Sequence, residues 1–161
     1  MKRILLTGMS GTGKSTVIAA LGALGYKAVD ADYGWCTTAP DGEWLWHEGR
    51  VDQLPSTEDA DVLFFGGCAS NQGKFRHRFD HIILLSAPLD VMLERLRTRT
   101  NNSFGKRDDE RDRVLANHAN VEPLLRASSS AEVYTARALS EVVEDILRLA
   151  GVSSASLPLH R

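Results

Sequence analysis

The run Gly8-Met9-Ser10-Gly11-Thr12-Gly13-Lys14-Ser15 fits the pattern G-x-x-x-x-G-K-[ST], and each residue type in it has a use in phosphate chemistry. Glycines at 8, 11 and 13 let backbone N–H groups close around phosphate oxygens. The Lys14 ammonium can then reach the β- and γ-phosphates of a nucleoside triphosphate, here expected to be ATP, and the Ser15 hydroxyl can ligate Mg2+. Ser10, Thr12 and Thr16 complete the loop positions expected to touch the nucleotide. The pattern names a triphosphate but no reaction.

Two further sets of residues could supply a reaction. Asp30 and Asp32 are two apart, so in an extended strand both side chains point to one face. One carboxylate could hold Mg2+, for which Asp30 is the candidate, and the other, Asp32, could orient or deprotonate an acceptor hydroxyl. The plain alternative is a pair of solvated turn acids. Arg95 and Arg99 stand four apart and, on a helix, could approach one ligand and stabilise the charge of a phosphoryl group in transfer. A solvated basic face is the alternative there. Arg97 points elsewhere, while Lys106 and Arg107 could swing in from across the 101–105 loop.

These residues need a scaffold, and the hydrophobic pattern indicates which. Ile4 to Thr7 reads as a strand leading straight into the glycines, and Val17, Ile18, Leu21 and Leu24 recur at helical spacing up to Gly25. Lys27–Ala31, Val62–Phe65 and His81–Leu85 read as further strands, the last two apolar enough to be covered on both faces. Pro88 opens a helix with its stripe at Leu89, Met92, Leu93 and Leu96. A further helical stretch carries Val114, Leu115, Val121, Leu124 and Leu125; Glu132–Thr135 reads as a last strand. A final helix is lined by Val143, Ile146, Leu147 and Ala150, and Gly151 can end it. The alternation predicts a three-layer α/β/α domain over residues 1–150 with a mostly parallel sheet, followed by a frayed tail, 151–161. One long connection, 33–60, reads as non-helical and, at that length, as functional.

Composition narrows the classes of partner. A chain of 161 residues with 43% apolar content can build a single core without disulfides or a structural metal. Its net charge of -2 argues against a nucleic-acid partner, and no run approaches the roughly 20 apolar residues that span a bilayer. Cys36 and Cys68 have no metal-ligand spacing, and the first residues carry no export pattern, so reduced thiols in the cytoplasm and a monomer or weak dimer are expected. Between residues 28 and 61 stand nine acids and one basic residue, Arg50, whereas from Arg95 to Arg107 every charge is positive. Such segregation suggests different ligands for the two regions.

Taken together, the glycine-rich loop, Val29-Asp30-Ala31-Asp32, and Leu84 to Lys106 with Glu94-Arg95-Leu96-Arg97-Thr98-Arg99 resemble the shikimate kinase, gluconate kinase and adenylate kinase group. The resemblance implies a P-loop NTPase fold with five parallel strands, ATP and Mg2+, an acceptor segment at 33–60 and a mobile lid at 99–113. It implies adenine contact from Thr135 to Leu139. Gly66-Gly67-Cys68-Ala69-Ser70-Asn71 departs from the glycine run of shikimate kinases and from the corresponding run of gluconate kinases. Gly66 and Gly67 permit a ligand to come close, and Asn71, Gln72, Lys74 and Arg76 could bind acceptor hydroxyls or a carboxylate, unless this is only a polar loop. Cys68 reads as a packed thiol. Trp44 and Trp46 could stack on a flat acceptor or cover the core.

Three activities fit these residues. The acid-rich segment favours transfer to a hydroxyl of a small molecule, with Asp32, Arg50, Gly67, Asn71 and Lys74 as acceptor candidates. Lys74, Arg76 and Arg78 keep open a nucleoside monophosphate acceptor. Nucleotide binding or ATP hydrolysis without a phosphoryl acceptor is the third.

Overall fold

The computed structural model describes residues 1–53, 60–100 and 102–152. Its frame is a sheet of five strands: β1 (Lys2–Thr7), β2 (Lys27–Asp30), β5 (Val62–Gly66), β6 (His81–Ser86) and β7 (Ala131–Tyr134). They run parallel in the order β2-β5-β1-β6-β7, which leaves β1 central. The alternation of side chains along β1 explains the layers. Ile4 and Leu6 face α1 (Lys14–Ala23) and α6 (Leu139–Leu149) through Val17, Ile18, Leu21, Val142, Val143 and Ile146. Leu5 faces the other way, with Leu63, Phe65 and Ile82, toward Trp46, Val51 and Phe75. Near the cleft, Met9 and Leu84 pack on Met92 of α3 (Leu89–Thr98) and on Leu125.

The α/β reading holds, with local differences. The 33–60 connection is not uniformly irregular: it forms an antiparallel hairpin, β3 (Cys36–Thr38) with β4 (Trp44–Trp46), and then a short helix, α2 (Glu48–Gln53). Gly42 supplies the positive φ that the hairpin's turn needs. Residues 54–59 of that connection, Asn101 and the tail 153–161 lie outside the described residues. The stretch from Val114 to Leu125 is two helices, α4 (Asp108–Asn120) and α5 (Glu122–Ser128), meeting at Val121. Pro123 explains the break, since it has no N–H to continue the helical ladder. Gly151 ends α6 in the left-handed conformation, with Val152 N–H donating to Leu147 O at 2.9 Å and Gly151 N–H to Arg148 O at 3.1 Å. Val152 is thereby buried, so the expected fraying does not begin at 151.

The charge segregation also has an internal explanation. Glu48 and Asp52 on α2 pair with Lys74 and Arg78, both at 3.1 Å, on the 3-10 segment Gln72–Arg78. In the basic stretch, Arg97 pairs with Glu94 at 2.6 Å and Arg107 with Asp109 at 2.8 Å. Part of the asymmetry along the chain is thus neutralised locally.

Candidate functional site

At the carboxyl ends of β1, β2 and β5 lies a cleft of about 1410 Å³, as expected where a parallel sheet meets its helices. Its floor is the loop from Gly8 to Ser15. Gly11 adopts φ 87°, and a Cβ there would lie 2.7 Å from Met92 O, so only glycine fits between the loop and α3. No side chain caps the amino end of α1, which leaves the N–H groups of its first turn turned toward the cleft. Lys14 Nζ donates to the carbonyls of Gly8 at 2.7 Å and Met9 at 2.9 Å. Desolvation pulls its pKa down, against the pull of the nearby Cys68, Asp32 and Asp30. The Thr12 side chain is buried and donates to Met9 O at 2.8 Å, fastening the loop internally.

Across the cleft floor, Ser15 Oγ donates to Asp30 Oδ2 at 2.6 Å. A hydroxyl and a carboxylate are hard oxygen donors of the kind Mg2+ prefers, the remaining ligands usually being water and phosphate oxygens. The pair therefore fits the ion, and among the described residues no cluster of three or more His, Cys, Asp or Glu offers another site. Asp30 Oδ1 also accepts the N–H of Asp32 at 3.1 Å, turning the chain so that Asp32 lines the cleft opposite Lys14. Asp32 keeps contact with solvent on its open side, yet the protein around it raises its pKa through desolvation. Lys14 and the indole of Trp44 oppose that rise.

The two arginines both line the cleft, as their i, i+4 spacing allows: Arg99 caps α3, its N–H still donating to Arg95 O at 3.0 Å, and the chain turns extended only beyond its Cα. Arg95 serves as a strut: it donates to Gly11 O at 3.3 Å, Thr135 Oγ1 at 3.0 Å and Thr135 O at 2.9 Å. Thr135 in turn donates to Thr12 O at 2.7 Å, locking the loop to the end of β7. Arg99 donates to Asn102 O at 3.1 Å and Phe104 O at 2.7 Å; partial burial lowers its pKa and the charge of Asp32 opposes this. Arg97 is exposed and occupied by Glu94. Lys106 donates to Arg97 O at 3.1 Å, and Arg107 pairs with Asp109, so neither reaches into the cleft here. In the segment expected to meet adenine, Thr135, Arg137 and Leu139 do line the cleft.

Of the acceptor candidates, Asp32 lines the cleft and the other four do not. Gly67 is buried, and a Cβ on it would lie 2.7 Å from Ala31 Cβ and 3.2 Å from Trp46 Nε1. Gly66 is likewise blocked by Ile18 at 2.6 Å. The glycine pair answers to packing, not to a ligand. Asn71 spends its amide on Trp46, accepting from its N–H at 2.9 Å and donating to its carbonyl at 3.0 Å. Lys74 faces outward to Glu48, and Arg50 donates to Gly34 O. In their place the cleft receives Ser70, Gln72, Arg76, Glu43 and Trp44, with Arg113 from α4. Gln72 is fixed between Thr7 Oγ1 at 3.1 Å and Ala69 N–H at 2.9 Å. The side chains of Arg76 and Arg113 have no hydrogen-bond or ion-pair partner among the described residues. Glu43 and Arg113 gave no signal in the sequence, because only the hairpin and α4 bring them to the cleft. Cys68 lines it too, with its pKa raised by burial; Cys36 is pushed up to about 12 by the same cause.

A profile described as an AAA domain matches residues 4–116. Among solved structures, shikimate kinase from Acinetobacter baumannii in complex with shikimate is similar at TM-score 0.67 and 23% identity, over 92% of each chain. A gluconokinase from Sinorhizobium meliloti 1021 gives TM-score 0.63 and 20% identity over 93% of this chain and 91% of that one. A sugar kinase from Janibacter sp. HTCC2649 gives TM-score 0.63 and 15% identity over 98% and 99%. At these identities the likeness is one of fold. No curated protein matches the sequence.

Proposed function

Since the chain belongs to the AAA domain family, we propose that it transfers the γ-phosphoryl group of Mg-ATP to a hydroxyl of a small-molecule acceptor. The observation that carries this reading is Asp32, a carboxylate held in one cleft with Lys14 and close enough for each to bias the other's charge. A cleft of about 1410 Å³ exceeds the roughly 300–1,000 Å³ of a pocket for one drug-sized ligand, leaving space for a second molecule beside the nucleotide.

The chemistry follows from the positions. Asp32 accepts the proton of the acceptor hydroxyl as its oxygen bonds to the γ-phosphorus, and the bond to the β-γ bridging oxygen breaks to release ADP. Lys14, freed from the Gly8 and Met9 carbonyls, and the Arg99 guanidinium stabilise the negative charge on the transferring group. Ser15 and Asp30 would hold Mg2+, which neutralises phosphate charge when bound. Arg95 keeps the loop in shape. The segment 99–113 is proposed as the lid that excludes water, consistent with the irregular chain before α4.

One observation favours a second reading. The guanidinium groups of Arg76 and Arg113 line the cleft without a partner among the described residues, and a nucleoside monophosphate would supply them with a phosphate. An ADP-release assay with shikimate, gluconate, sugars, polyols and nucleoside monophosphates separates the readings. Turnover with a hydroxyl acceptor is expected. Turnover confined to monophosphates, or ATP hydrolysis indifferent to every addition, would overturn it.

A further inference from the structure

Two tryptophans two residues apart on β4 have opposite fates. Trp46 is 1% exposed and packs on Phe65, with ring centroids 5.2 Å apart, and on Phe75 and Phe79. Trp44 is 41% exposed and lines the cleft. An indole open at the wall of a cleft offers a flat apolar face on which a ring can stack. It is also firmly held. Trp44 O accepts the Ser70 N–H at 3.0 Å, and Asn71 grips Trp46 from both sides of its backbone. The whole strand is thus clamped to the turn that follows β5. Asp32 lines the same cleft.

Resting on the transfer reading above, we propose that Trp44 is the acceptor platform, its indole face carrying a ring-shaped acceptor in the cleft that Asp32 also lines. One side chain then sets which molecules bind. A ring with an apolar face, such as a cyclic polyol or a furanose, covers the indole and keeps its hydroxyls at the edge, within reach of Asp32. An open-chain polyol presents no such face and must also lose its torsional freedom to bind. The class of acceptor is therefore a cyclic hydroxyl compound.

The need for a ring is tested by substitution. Trp44→Phe keeps a ring; Trp44→Ala removes it. Wild type and variants are assayed with shikimate, ribose, adenosine and open-chain gluconate, with ATP affinity and melting temperature measured alongside. Wild type is expected to turn over a ring acceptor in preference to gluconate. Trp44→Phe should keep the acceptor KM within about threefold. Trp44→Ala should raise KM by about tenfold or more, with ATP affinity unchanged. If the alanine variant melts early, Trp44→Leu, which keeps apolar cover without a ring, makes the same comparison. Preference for gluconate, or a KM in the ringless variants within twofold of wild type, overturns the platform while leaving transfer intact. No turnover of any member of the panel by wild type overturns transfer itself, and the platform with it.

Discussion

The Ser15 hydroxyl donates to the Asp30 carboxylate at 2.6 Å, joining the first turn of α1 to the last residue of β2. These residues are fifteen apart in sequence, and the contact fixes the distance between the phosphate loop and the acidic pair. Asp32, two residues on, is directed to the cleft by the same carboxylate through its other oxygen. The proposed metal donors and the proposed base are therefore tied together through the Asp30 carboxylate.

Lys14→Ala should lower the rate of transfer at least about a hundredfold, the usual order for losing a group that stabilises transition-state charge. Circular dichroism should show the fold retained, because the ammonium bonds only to carbonyls of its own loop. A rate within about tenfold of the parent contradicts the role.

The pH dependence of kcat/KM should be bell-shaped, with both limbs moved inward. Desolvation raises the pKa of Asp32, and a base must be deprotonated, so activity falls on acidification while still above the usual carboxylate range. Desolvation lowers the pKa of Lys14, and a phosphate ligand must be protonated, so activity falls on the alkaline side before the ordinary lysine range. Asp32→Asn should remove the acidic limb, lower kcat and leave ATP affinity largely intact. An equal loss of ATP affinity in that variant would reassign Asp32 to the metal.

Truncating Arg95 tests the strut. Arg95→Ala leaves the carbonyls of Gly11 and Thr135 without this donor, at a cost of about 1–3 kcal/mol in stability. Chemical denaturation should show that loss, accompanied by weaker ATP binding. A variant with normal stability and a defect only in kcat would instead place Arg95 on the phosphoryl group.

Gly67→Ala and Lys74→Ala separate packing from ligand contact. A methyl at 67 runs into Ala31 and Trp46 and should cost about 1–3 kcal/mol. Lys74→Ala removes an exposed pair with Glu48 and should change stability by under about 1 kcal/mol. Neither should alter the acceptor KM once the protein is folded; a large KM effect from Lys74→Ala would return it to the site.

The chain alone determined those features whose physics is local. The order of strands and helices follows from runs such as His81–Leu85 and the stripe at Leu89, Met92 and Leu96, because burial selects side chains by their spacing along one element. The phosphate loop is equally local, since its glycines, lysine and serine act through a contiguous backbone. Tertiary structure decided everything that depends on what lies opposite. Gly67 looked like a place for a ligand and faces Trp46 instead; Asn71 and Lys74 looked like acceptor contacts and hold β4 and α2. Trp44 and Trp46 could not be told apart until the hairpin carried one to the cleft and sank the other among Phe65, Phe75 and Phe79. The reason is that spacing records the faces of a single element, whereas a cleft is built between elements whose separation in sequence carries no such record.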